Sequence, residues 1–326
     1  ALVITGIAFF AIYVLGGLVA TFAPSLEVLL FGRILQGFGV SAGVALSRAM
    51  VRDLFVGREA IGILTLINLV LTVAPAVAPT LGSVIMLVGT WHVMFVVMAG
   101  FGLAIIALLG FSARETLAED RRVPLKPSTI FGNYGRLLRA PAFLLPAGTL
   151  AAAFGGFYAS AALLPFVLIN QIGLTPFQFA MAMLIQTGSF ITGNIIAARL
   201  SKQLDGWQLV VIGLALIGLA GLGYAIGPRL WPGEVLAVMI PVGFWMLSLA
   251  CLSPSATAAA MSGFGEIAGS AGALTGFFQM GGGFLASLAG TVLFPEARTA
   301  LVTLMPCLAA LAIILALTDL WRLRRT

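Results

Sequence analysis

LLFGRILQGFGVSAGVALSRAMVRD, residues 29–53, is a long apolar run with one arginine, Arg33, near its start and a charged end carrying Arg48, Arg52 and Asp53. The apolar part is close to the ~20 residues that a helix needs to cross a bilayer core. An arginine inside such a helix costs several kcal/mol by insertion scales, so it must face water or meet an anionic or carbonyl partner. Arg33, Gln36 and Gly37 are separated by three- and four-residue steps, which places them on one face. The plain alternative is that Arg33 snorkels to the interface as an anchor.

The rest of the chain has the same character. Hydrophobic residues make up 61%, charged residues 9%, and the mean hydropathy is +1.13. Those values exclude a soluble globular domain and define an all-α polytopic membrane protein. Spans are expected at 2–22, 26–48, 60–88, 91–111, 142–170, 176–200, 207–227, 234–256, 268–292 and 298–319, ten in all. If the first runs outward, 14 of the 17 basic residues fall on the cytoplasmic side, with Arg229 and Arg298 outside and Arg33 within the membrane. The positive-inside rule then sets a cytoplasmic C-terminus. Basic residues grouped in short loops are a topology signal, and no nucleic-acid partner is expected.

The longest polar break, residues 112–141, divides the chain into an N-terminal bundle of four spans (1–111) and a C-terminal bundle of six (142–326), with the break as a central cytoplasmic loop. Residue 1 is an alanine almost inside an apolar run. Two further spans ahead of it would give six plus six, the layout of a transporter built from two related bundles.

APSLEVLLFGRILQGFGVSAGVALSRAMVRDLF resembles the fourth span and following loop of the major facilitator superfamily, in the form used by its bicyclomycin-resistance (Bcr/CflA) multidrug efflux branch. APAVAPTLG at 74–82 resembles the fifth-span antiporter signature of that branch, and ARETL at 113–117 its helix end before the central loop. SPSATAAAMSGFGEIAGSAGALTGFFQ at 253–279 resembles its connection between spans ten and eleven. The sequence departs from the family at His92, where an arginine is common, and the first two spans with their charged loop are absent.

The resemblance implies a major facilitator fold of twelve spans, ten of them present, in the bacterial inner membrane. It implies proton-coupled export of small amphipathic molecules by alternating access. Arg33, with Gln36 beside it, takes the proton-coupling role; the carboxylate that would answer Arg33 belongs on the absent helices. Pro75, Pro79 and Gly82 form the antiporter hinge, where lost backbone hydrogen bonds let a helix bend. Arg48, Arg52, Asp53 and Arg58 form a cytoplasmic gate through ion-pair and helix-dipole contacts.

An efflux site for such molecules needs broad apolar and aromatic walls with few directional groups. Asn68, Phe154, Phe157, Tyr158, Gln186, Asn194, Trp245, Phe278 and Gln279 are the candidates, each of which could equally be a core or lipid-facing residue. His92 beside Trp91 reads as an interfacial anchor. Cys251 and Cys307 lie in apolar spans without metal-ligand spacing, and no cofactor is expected. A membrane transferase would need acidic or histidine clusters at loop ends, and none occurs. The remaining alternative is a non-transporting remnant of a transporter. The partners are a drug-like small molecule, protons and the bilayer, with the chain acting as a monomer.

Overall fold

A computed structural model describes residues 2–55, 89–112 and 127–323, with isolated positions between 59 and 85. The expected span at 60–88 is described only at those isolated positions, and Arg58, Asn68, Pro75 and Pro79 lie outside the described residues. All regular structure among the described residues is helical, in two compact units, Ala1–Pro124 and Leu125–Thr326.

The first unit holds α1 (Leu2–Thr21), α2 (Leu26–Leu54) and α3 (Trp91–Ser112). Ser25 caps α2 by accepting from the Val28 N–H at 3.5 Å, and Glu27 places a negative charge at the positive end of the helix dipole. α1 packs on both α2 and α3. Its crossing with α2 is made by glycines. A Cβ on Gly16 would stand 2.6 Å from the Gln36 nitrogen and the Gly32 oxygen, and one on Gly39 would strike the backbone of Tyr13. Small residues are how helices approach each other in lipid, where burial of apolar surface supplies no drive.

The second unit opens with a short helix, α4 (Pro127–Leu137), followed by α5 (Pro141–Pro165), which continues through a π-turn at Phe166–Gln171. Then come α6 (Pro176–Leu200), α7 (Gly206–Leu230), α8 (Val235–Met261), a 3₁₀ turn at Gly265–Ile267, α9 (Ala268–Val292) and α10 (Ala297–Leu323). Prolines open α4, α5 and α6, where the missing N–H costs nothing. The Thr175 hydroxyl accepts from the Gln178 N–H at 3.3 Å while Gln178 accepts from the Thr175 N–H at 2.9 Å, a reciprocal cap on α6. The elbow between α8 and α9 turns at Gly263, whose φ of +81° suits glycine.

α5 packs on α8, α9 and α10; α7 packs on α8 and α10; α6 packs on α8. Trp245, Tyr224, Met239, Ile217 and Leu163 fill the centre of this unit. The Trp245 indole donates to the Ala153 carbonyl at 2.9 Å and the Ser248 hydroxyl to the Gly213 carbonyl at 2.8 Å, joining α8 to α5 and α7.

Nine of the ten expected spans are helices among the described residues, and eight of these are long and apolar enough to cross a membrane. α9 has 25 residues but is diluted by glycine and serine. Several helices outrun their apolar runs: α2 continues to Leu54, α8 to Met261 and α10 to Leu323. Hydropathy marks the bilayer, whereas backbone hydrogen bonding continues into the headgroup layer. The expected central loop also differs, because α4 lies inside it. Leu137 is fully buried there and Tyr134 half-buried, on a shared helix face.

Candidate functional site

Arg33 and Gln36 sit on consecutive turns of α2, three residues apart, and the guanidinium Nη1 donates to Gln36 Oε1 at 3.0 Å. The two differ sharply in burial. Gln36 is 3% exposed, wedged under Gly17 of α1 and close to Ala99 of α3, while Arg33 is exposed. A Cβ on Gly17 would stand 3.2 Å from Gln36 Nε2 and 3.1 Å from the Ala99 Cβ, so glycine makes room for the amide. Phe95 of α3 lies beneath the guanidinium, 5.8 Å from its carbon to the ring centroid, a cation–π contact.

Two features follow for the chemistry. Arg33 has five N–H donors, most of them uncommitted to the bond with Gln36. No ion pair to Arg33 occurs among the described residues. Gln36 Nε2 is buried without a hydrogen-bond partner, an arrangement that costs ~1–3 kcal/mol. The result is a fixed positive charge on the surface of a span, held by a side chain locked into a three-helix junction. Gly37, expected on the same face, is exposed with nothing within 4 Å of a Cβ built on it.

The other expected residues divide. Arg48, Arg52 and Asp53 lie on the last turns of α2, with side chains outside the described residues. Gly82 is helical, 3.5 Å from the Met94 methyl across a built Cβ. Phe154, Phe157 and Tyr158 form one aromatic group on α5: Tyr158 meets Phe157 edge-on at 4.8 Å and stacks with Phe154 at 6.5 Å. The Tyr158 hydroxyl donates to Met280 Sδ of α9 at 3.4 Å, and Gln279, half-buried, is its neighbour in sequence. Trp245 is completely enclosed in the core, so in this conformation its indole meets no open surface. Phe278 stands edge-on to Phe143 at 5.9 Å, in a separate cluster below α4. On α6, Asn194 donates to the Phe190 carbonyl at 2.8 Å, whereas Gln186 is 7% exposed and its Oε1 has no partner. His92 stacks on Trp91 with ring centres 3.7 Å apart, and its Nδ1 is 3.0 Å from the Thr90 hydroxyl.

Sequence reasoning missed three pairings. Asp319 of α10 is 8% exposed and accepts from Arg322 at 2.9 and 3.2 Å; the i, i+3 spacing was the available signal. Arg136 of α4 meets Glu266 at 3.7 Å, and Asn133 donates to Ser270 at 3.5 Å, across separations that no local pattern reveals.

Bilayer-length helices in two compact units, with a charged side chain held on a span, define a multi-pass membrane protein. Residues 1–289 match the model of the Major Facilitator Superfamily, and the chain belongs to that family. It is 32% identical over 273 residues, 82% of this chain and 67% of the relative, to an uncharacterized MFS-type transporter of Bacillus subtilis, YdgK. It is 27% identical over 285 residues to a bicyclomycin resistance protein homolog of Haemophilus influenzae, covering 84% of this chain and 69% of that one. Among solved structures, the Escherichia coli fucose:proton symporter FucP matches with a TM-score of 0.65 at 14% identity, covering 98% of this chain and 84% of that one; the likeness is one of fold.

Proposed function

We propose that this chain is a proton-coupled exporter of small amphipathic molecules, working by alternating access in a bacterial inner membrane, as a monomer with its C-terminus in the cytoplasm. The observation that carries the reading is the clamped guanidinium of Arg33: a permanent cation in a span, oriented by Gln36 and Phe95 and without an ion pair among the described residues. A fixed positive charge favours the ionised form of any carboxylate brought near it. Proton release and substrate binding can then compete at one place. The relative named for bicyclomycin resistance supports drug-like cargo, and so does the adaptable aromatic group Phe154, Phe157 and Tyr158 on α5. The excess of basic residues on one set of connections supports the orientation.

The test is transport of a fluorescent amphipathic cation in proteoliposomes under an imposed proton gradient. Transport should collapse with a protonophore and with Arg33→Ala, while the variant stays folded in the membrane, and Arg33→Lys should retain part of the rate. Wild-type transport by Arg33→Ala would end this reading.

A further inference from the structure

α4 has no role in the reading above, yet it is anchored to distant parts of its unit. Its inner face is fixed to the start of α5 and to the elbow between α8 and α9. Leu137 packs with Phe143, Ala147, Ala260, Phe264, Ala271 and Leu274, Asn133 reaches Ser270, and Arg136 meets Glu266. Its outer face is built differently. Phe131 is 75% exposed and Leu138, in the turn that follows, 47%. Beside them runs a groove of about 550 Å³ lined by Phe131, Gly132, Gly135, Arg136, Arg139 and Ala140. At 100° per residue, Gly135, Gly132 and Arg136 fall in one sector of α4, with Phe131 at its edge and the buried Leu137 opposite, and Leu138 and Arg139 follow in the turn.

We propose that α4 lies in the headgroup layer and that this groove binds the phosphate of an anionic phospholipid, with Phe131 and Leu138 dipping into the acyl region. The position follows from the chain: three residues separate the end of α4 from Pro141, where the span of α5 begins. Apolar residues beside arginines on a helix at that depth form the pattern of an interfacial helix. The two glycines have no packing reason, since a Cβ at Gly132 or Gly135 would meet nothing within 4 Å. Their bare backbone leaves a floor open to a bulky phosphate.

Arg139 has no hydrogen bond or ion pair among the described residues and so brings an uncompensated charge. Arg136 shares its charge with Glu266, but that pair is long and both side chains are largely exposed, at 60% and 87%, so water screens it. The guanidinium keeps donors for a phosphate oxygen. A free anion would gain nothing from the apolar edge; a lipid uses both.

Native mass spectrometry of the full chain in detergent, titrated with phosphatidylglycerol or phosphatidylcholine, tests the site. The wild type should retain phosphatidylglycerol about tenfold more tightly, and Arg136→Gln with Arg139→Gln should weaken it about 30-fold, given the effect of basic side chains on anionic lipid. Glu266→Gln should tighten it by removing the competing carboxylate. Gly135→Leu, which fills the groove where nothing else packs, should release the lipid at an unchanged thermal midpoint, so a folding defect cannot imitate the result. Phe131→Ser should weaken the lipid, and excess inorganic phosphate should leave it bound. Equal binding of the two lipids, an unaffected double-arginine variant, or displacement by inorganic phosphate with no effect of Phe131→Ser would overturn the proposal.

Discussion

Gln36 shows how a residue can matter more through what it holds than through what it touches. Its carbonyl oxygen accepts a hydrogen bond from Arg33 Nη1 at 3.0 Å, while its own amide nitrogen is buried without a partner. Gln36→Leu keeps roughly the volume and removes a buried unpaired amide that costs ~1–3 kcal/mol, which offsets the loss of the bond to Arg33. The same change frees Arg33 from a charged hydrogen bond of ~1.5–3 kcal/mol. The expected outcome is a thermal midpoint in detergent close to that of the parent, with proton-driven transport in proteoliposomes reduced at least about tenfold. Normal transport by Gln36→Leu would assign the glutamine to packing alone. The i, i+3 spacing made the pairing legible in the sequence. Which partner is buried was not legible, because it depends on Gly17 and Ala99 arriving from two other helices.

At the scale of helices, α1 and α2 cross where glycines remove every obstacle between backbones. Gly16 faces the Gln36 nitrogen and Gly32 faces the Ala20 nitrogen, at 2.6 and 2.8 Å from the positions that Cβ atoms would take. Backbone cannot rotate away as a side chain can, so Gly16→Ala must push the helices apart. It should destabilise by ~1–3 kcal/mol, the usual range for overpacking. Gly37→Ala and Gly100→Ala, which meet nothing within 4 Å, should instead hold or raise stability, since alanine favours a helix interior by up to ~1 kcal/mol. Thermal unfolding of the three variants in one detergent separates the cases, and equal midpoints would show that the crossing yields to an added methyl without cost. Nine of the spans were readable from hydropathy, with helix ends that run up to six residues past the apolar stretch. α4 was not, because its apolar residues alternate with glycine and polar positions and its helix is stabilised by Phe264 and Leu274, which lie far along the chain.

Over the whole molecule, the tryptophans mark the boundary between lipid and water. Trp91 opens α3, Trp207 lies at the start of α7, Trp231 follows its end, and Trp321 lies near the end of α10; all four are exposed, between 40% and 57%. Trp207 and Trp231 are separated along a single helix by about 36 Å, at ~1.5 Å per residue. That distance exceeds the ~30 Å hydrocarbon core by about one headgroup contact on each side. Indoles prefer that layer because one edge is apolar and the N–H seeks water. Trp245 is the exception, fully enclosed with its N–H given to Ala153. Lipids brominated at defined depths turn this arrangement into a measurement of fluorescence quenching. In a Trp245→Phe protein, bromines near the headgroup should quench more strongly than bromines near the chain ends, because all four remaining indoles sit at helix ends. A protein retaining Trp245 as its one tryptophan should be nearly unquenched at every depth, because the core keeps lipid away. Strong mid-chain quenching of that last protein would mean that lipid or an open cavity reaches the indole, and Trp245 would then belong to a substrate-accessible wall instead of the core.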